Sequence, residues 1–477
     1  MKIPFVGPAY TARSVKADAQ RAVNVYLETD QTSQRAPLVL YGRPGMTAAL
    51  TVGSGPIRGM LTQDTTLFVV SGSAVYEVTY YGGAYHATSI GTIGSSSGPV
   101  GMATNGAETL IVDGVGGWLA TSGTLTQITD PEFPNGVKSC CCIGGFFIVT
   151  GDGTGRFYYN ETPNVGSDWN GLDFASAEGS PDNTVGCIAS HLELMLFGSQ
   201  SAEIWVLTGS SDLPFERSGN TFIEFGTAAY ASLATLDNTV FWLGQSKEGA
   251  GMVFRANGYI PQRISTHAIE REIQSYAYID DARSMTLQMQ GHSFYILTFP
   301  TESKTWVYDV SSQNWTEWAY MDPNTGDLGR WRPECYAYFN GENLVGDFED
   351  GTIYALSMDV YTDDGDSIKY LRATQCMDSP NGFKMTYGPL TVDMETGVGT
   401  ATGQGQSPVM MLRYSNDGGQ SWSNLRQSTV GEAGEYGIRC RFLQNGSGRN
   451  RVWEISMTDP VKFAVFGAYV NVSEGIS

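Results

Sequence analysis

Apolar and polar positions alternate in short blocks through most of the chain, and residues 184–209 show the unit most plainly. TVGCIASHLELMLFGSQSAEIWVLTG holds an apolar run at 185–189, a polar break at Ser190 and His191, a second apolar run at 192–197, a Gly-Ser-Gln-Ser turn, and a third run at 204–207. This pattern predicts three short strands joined by tight turns. A unit with apolar side chains on both faces cannot bury them alone and needs neighbours of its own kind. The sequence supplies them at intervals of roughly 40 to 55 residues, the period of β-propeller blades.

Seven such openings occur, at residues 57, 100, 137, 184, 228, 285 and 334. The third block runs into a longer loop expected at 169–174, which leaves six blades open as well as seven. The fourth is expected to end with TFIEFG from Thr221. The seventh stops one strand short near residue 358. A circular array of sheets closes by borrowing a strand from the other end of the chain, and residues 45–52 are the expected donor. Between the fifth and sixth blocks, ISTHAIEREIQSY places Ile269, Ile273 and Tyr276 on one helical face behind Thr266 as N-cap, which predicts a helix inserted at the rim.

The flanks lack this rhythm. Residues 1–36 read as an extended arm with one alternating strand, QRAVNVYLE, that packs on another part of an assembly. The propeller is expected over 37–359, and residues 360–367 (VYTDDGDS) read as an acidic connector. Residues 368–477 show about seven strands, including MTYGPLTVDM, VWEISMT and FAVFGAYVNV, and read as a β-sandwich-like domain. The fold expectation is all-β: a propeller with an N-terminal arm and a C-terminal β-sandwich-like domain.

Composition agrees with turn-rich β structure: 58 Gly, 12% aromatic and 16% charged residues in 477. The net charge of -21 argues against general nucleic-acid binding, which needs clustered cations. No apolar run of membrane-spanning length or signal-peptide h-region is present, which predicts a protein made in the cytoplasm. Seven cysteines (140, 141, 142, 187, 335, 376 and 440) are an odd number, with three contiguous, and are expected to be reduced, buried thiols.

The candidate chemistry is thin. Gly94-Ser-Ser-Ser-Gly98 matches G-x-S-x-G in form, but a nucleophile elbow needs a helix after it, and a proline and a strand follow here. Four scattered histidines lack metal-ligand spacing, and the acidic loops at 322–327 and 363–366 lack the distal glutamate of an EF-hand. No metal, cofactor or catalytic residue is therefore expected. Ser415, Asp417, Gly419 and Trp422 form an Asp-box, S-x-D-x-G-x-x-W, which resembles the hairpin turns of sialidase-like propellers and predicts a structural turn. Trp306, Trp315, Trp318 and Trp331 read as blade packing, with a protein-protein contact or sugar-stacking surface as the alternative that makes them a candidate interaction surface.

Taken in order, QRAVNVYLE and GRPG, FGSQSAEIWVLTG, ISTHAIEREIQSY, YSNDGGQSWSN and GRNRVWEISMTDPVKFAVFGAYV make the chain resemble the tail-hub (nozzle) proteins of short-tailed bacteriophages, also called packaged-DNA stabilisation proteins. The resemblance implies a non-enzymatic virion protein that forms a homohexameric ring below the portal-adaptor proteins. Such a ring would extend the DNA exit channel, retain packaged DNA, and anchor tailspike or tail-fibre proteins. Double-stranded DNA would pass through without sequence-specific binding, and no membrane is involved. Six copies would carry roughly -126, a wall along which DNA slides. A carbohydrate-binding propeller, or a sialidase-like glycosidase, is the alternative reading.

Overall fold

The predicted strand blocks fold into successive four-stranded antiparallel sheets. The computed structural model describes every residue except 31, 33–35, 178, 180, 211–213, 220, 380, 381, 476 and 477. Two compact units result. One comprises Ala48–Ser303 and Trp331–Leu356, the other Met1–Thr47, Lys304–Arg330 and Ser357–Ser477.

In the first unit, Ile57–Gln63, Thr66–Ser71, Ala74–Tyr81 and Ala84–Thr92 pair in sequence order as blade one. Blade two runs from Gly101–Thr104 to Thr124–Gln127, and blade three from Ser139–Ile143 to Trp169–Ser176. Blade three is thus complete: Trp169–Ser176, expected as a loop, is its outer strand. Trp169 is buried and its indole N–H donates to the Gly166 carbonyl at 2.7 Å, so the loop residues before it turn the chain back onto the sheet.

Blade four contains the 184–209 block as Thr184–Ser190, Glu193–Gly198 and Ala202–Leu207. Its fourth strand is Phe215–Arg217 and not the 221–226 segment; within that segment Ile223 bridges to Ala202, and Gly226–Thr227 pairs with Thr239–Ser246 of blade five. Blade five continues through Gly249–Asn257 to Ile260–Arg263. Arg283–Met289 and His292–Phe299 form the inner hairpin of blade six, and Pro333–Phe339, Glu342–Asp347 and Thr352–Ser357 belong to blade seven. Inner strands of successive blades are neighbours, and Pro333–Phe339 packs beside Ile57–Gln63 to complete the circle.

Closure takes the expected form. Residues 48–51 of the strand Gly45–Thr51 lie beside Thr352–Ser357 in the blade-seven sheet, and the Val52 N–H donates to the Gly351 carbonyl at 2.7 Å. Gly351 is required there, because a Cβ would overlap the Val52 carbonyl oxygen.

The period-two pattern explains where the core sits. The second strand of a blade is covered on both faces, as in Thr66–Ser71 and Glu193–Gly198, so its residues are apolar nearly throughout. Its two faces serve two different inter-blade cores. Phe68 and Val70 pack with Ile111 and Trp118 of blade two, while Leu67 and Val69 pack with Phe339 and Leu344 of blade seven. The rim helix is His267–Gln274; Thr266 Oγ1 accepts from the Ile269 N–H at 3.4 Å, and Ile269 and Ile273 are buried.

In the second unit, the residues expected as a free arm are strands of the C-terminal sheets. Val25–Thr29 pairs with Leu38–Gly42, which pairs with Ala464–Glu474; Lys2–Ile3 also pairs with Ala464–Glu474. Met385–Met394 and Cys440–Phe442 extend this sheet. A second sheet runs Lys304–Asp309, Asn314–Glu317, Ala22–Val23, Tyr370–Ala373, Asn450–Met457, Val409–Ser415, Arg426–Thr429. Ile3, Phe5, Val25 and Leu27 enter one core with Tyr370, Leu390, Trp453 and Phe463. The arm is therefore integral, because the sandwich has unpaired edges and an open core without it. The second hairpin of the sixth block, expected within the propeller domain at 37–359, belongs to this unit.

Candidate functional site

The propeller axis is the first place where the fold gathers side chains of interest. All seven inner strands line an axial cavity of about 510 Å³, which Arg58, Lys138, Cys187, Tyr230, Arg283 and Glu334 border. Two of its three cations are consumed locally. Arg283 is ion-paired with Glu334. Arg58 donates to the carbonyls of Gly98 (2.6 Å), Gly72, Ser95 and Ser97 and to Ser95 Oγ (each 2.8 Å). The G-x-S-x-G look-alike is thus a cradle for a guanidinium, held in turn by Asp113 through the Ser95 N–H at 2.7 Å. Burial lowers the pKa of both arginines. The sequence reading missed this cavity; an arginine at the start of an inner strand was its one available signal.

The thiols beside the cavity are packing groups. Burial pushes Cys140 well up and Cys335 to about 12, while a side-chain contact with Cys187, then burial, raises Cys141. Thiols so protonated are poor nucleophiles. At the adjoining mouth, Ser190 Oγ and His191 Nδ1 are 3.0 Å apart, but both lie at an exposed turn and no carboxylate orients the imidazole among the described residues. No group of three or more His, Cys, Asp or Glu side chains able to hold a metal occurs among the described residues.

A buried polar knot in the second unit explains two of the stretches that carry the family resemblance. Asn24, at φ 57°, donates through its amide to the carbonyls of Ala319 and Lys369, both at 2.9 Å. Its Oδ1 accepts from the Ala319 N–H at 2.7 Å and from Arg43 Nε at 2.9 Å. Arg43 then forms a two-pronged ion pair with Asp363 at 2.9 and 2.5 Å, both side chains being fully buried. Beside it, Glu317 accepts from Arg21 and from Lys304 Nζ at 2.8 Å. Burial alone would raise the pKa of the Glu317 carboxyl, but the two cations outweigh it and hold it below its usual 4.5. Arg372, pulled down to about 10 by burial, donates to the carbonyls of Phe5, Gly7 and Pro8 and to Gln20, fastening the first twenty residues. The connector at 360–367 is thus one wall of an ion-paired joint, more than a spacer.

The Asp-box is a turn. Ser415 Oγ donates to Asp417 Oδ1 at 2.6 Å and accepts from the Gly419 N–H at 2.8 Å, and Asp417 accepts from the backbone of Gln420 and Ser421. These bonds, those from Ser415 and Ser421 foremost, hold the Asp417 pKa far below the usual carboxylate range. Trp422 is half-buried, with the Arg413 guanidinium 4.5 Å above its ring. Lys16 packs over Gly418, so the turn also supports the N-terminal segment.

The tryptophans do not form the surface that the sequence suggested. Trp315, Trp318 and Trp331 are 4%, 0% and 0% exposed, and Trp306 is half-buried. Their apolar area is spent on packing.

Comparison with known proteins finds two families in chain order, divided near residue 361. A family described as bacteriophage P22 Gp10, beta-propeller, matches residues 1–361, and one described as bacteriophage P22 Gp10, beta-sandwich, matches residues 370–473. The chain is 23% identical over 252 residues to the tail hub protein gp10 of Salmonella phage P22, which covers 52% of each; the match thus spans about half the length of that relative. Among solved structures, the Pan2 WD40 domain of Neurospora crassa is 13% identical with a TM-score of 0.41, covering 66% of this chain and 97% of that one. The computationally designed protein Ika8 is 7% identical with a TM-score of 0.41, covering 65% and 99%. With both profiles matched in order across nearly its whole length, this all-β chain of propeller and sandwich belongs to the bacteriophage P22 Gp10 family.

Proposed function

We propose that the protein is a structural tail hub of a short-tailed phage: a homohexameric ring below the portal-adaptor proteins that extends the DNA exit channel, retains packaged DNA and anchors tailspike or tail-fibre proteins. It is made and assembled in the host cytoplasm and resides in the virion tail. The observation that carries this reading is the ordered match of both Gp10 profiles, together with the tail-hub name of the P22 relative.

The local chemistry supports a structural part. Two motifs that resemble those of enzymes serve the fold: the G-x-S-x-G loop cradles Arg58 and the Asp-box forms a turn. A glycan-binding propeller loses its main support with the burial of Trp315, Trp318 and Trp331. The test is electron microscopy of the full chain mixed with its portal-adaptor complex. A ring of added density below the adaptor is expected; a protein that stays monomeric and adds no density overturns the reading.

A further inference from the structure

The acidity of this protein is not shared by its C-terminal region. Residues 368–477 carry ten Lys and Arg against nine Asp and Glu, whereas the whole chain carries 28 against 49. The strand registers place two cations, Lys2 and Arg441, on one β-sheet, and three more lie just beyond the ends of its strands. Lys2 pairs with Tyr469, Tyr469 with Thr391, and Thr391 with Arg441, which makes one row across four strands. Inward neighbours along these strands, such as Ile3, Ala468, Val392, Cys440 and Phe442, are buried, so the alternation of the pleat turns the row to solvent. Tyr469 is 52% exposed, and Lys2 and Arg441 are exposed.

Arg439 immediately precedes the strand Cys440–Phe442 and is exposed. At the far end, Lys384 and Arg449 flank the Met385–Gly448 pair, and both are exposed. None of these five cations is ion-paired among the described residues. Their short polar contacts are to neutral groups: Arg441 Nε to Thr391 Oγ1 at 3.4 Å and Arg449 Nε to the Gly382 carbonyl at 3.1 Å. Asp393 and Glu474 lie on the same strands and Glu28 on another strand of the sheet, while Glu395, just past Met394, is paired with Lys462; five cations thus stand against three carboxylates.

We propose that this sheet face binds the phosphate backbone of duplex DNA. A deep pocket would suit a small anion; a strip of cations on a pleated face suits a linear polyanion. From position 384 to 391 the strip runs about 23 Å at the rise of a β-strand, long enough to meet several successive phosphates. Edge protection accounts for a cation on an edge strand, but it does not call for cations gathered at both ends of one sheet. The proposal deepens the tail-hub reading, giving the retained DNA a point of contact in a chain that otherwise repels it.

The test uses the full-length protein and fluorescence anisotropy of a labelled 30-base-pair duplex across 50 to 200 mM salt. Five phosphate contacts predict a log-log salt slope of about -4.5. The triple variant Lys384→Glu, Arg441→Glu, Arg449→Glu is expected to weaken binding at least tenfold and to reduce the slope by about 3. Lys247→Glu, on an exposed turn of blade five, should change neither. Unchanged duplex affinity in the triple variant, with its circular dichroism intact, overturns the proposal. So does a variant that keeps its affinity while its sedimentation coefficient falls, since the face would then be a contact between copies. Ring formation on the portal-adaptor complex is scored separately, so failure of the tail-hub reading is distinguishable from failure of this one.

Discussion

Asn24, Arg43 and Asp363 show how single residues decide this fold. Desolvating an ion pair is costly, and the gain is recovered only where donors and acceptors are matched, as they are around Arg43. Removing one partner strands the other in the core. Asp363→Ala is therefore expected to destabilise the C-terminal unit by about 3–5 kcal/mol, read from urea unfolding followed by tryptophan fluorescence. Glu317 gives a pH signature. Its pKa is depressed in the folded state, so its contribution is fully present above the usual carboxylate value and is lost as pH falls through the lowered one. Melting curves from pH 7 to pH 3 should show an acid limb in the native protein that Glu317→Gln flattens. His191 and Leu192 both adopt left-handed backbone at a two-residue hairpin turn, with φ 51° and 65°, and Leu192 is 75% exposed. Leu192→Gly should raise stability by up to about 1 kcal/mol; a fall in the melting temperature would contradict this.

Blades hold together as elements because each second strand feeds two cores. The weakest joint of such a circle is its closure, where residues 48–51 complete blade seven. Gly351→Val puts side-chain atoms where the Val52 carbonyl lies and should release that strand. Hydrogen exchange of residues 48–52 should then rise well before exchange elsewhere in the propeller. The N-terminal strands behave differently from an arm. Val25, Leu27 and Phe5 lie in the sandwich core, so deletion of residues 1–36 is expected to unfold the C-terminal unit, with loss of its protease resistance, and not merely to loosen an assembly contact.

For the whole molecule, the repeat period, the number of openings, the rim helix and the Asp-box were all legible from residues in the chain. Local rules set them: apolar alternation for strands, Thr266 as N-cap, and Ser415 and Asp417 as turn formers. The arm was misread because an alternating strand carries no information about its partners: Ala22–Val23 pairs with Asn314–Glu317 and Tyr370–Ala373, and Lys2–Ile3 with Ala464–Glu474, more than 400 residues away. The choice between packing and surface for the tryptophans was left open for a related reason, since an aromatic cluster has the same sequence whether it faces solvent or core. The even charge of the last 110 residues was also available in the sequence, but only strand register brings Lys2 and Arg441 into one row.

By itself the sequence determined that the chain is all-β, built of propeller-like repeats with a distinct C-terminal domain, because periodicity and turn chemistry act over a few residues. Beyond the closing strand at residues 45–52, tertiary structure alone decided which distant segments pair. It wove the N-terminal strands and the outer hairpin of the sixth block into the sandwich, since sheet edges and half-open cores are satisfied by whichever strand fits in register, however remote it is along the chain.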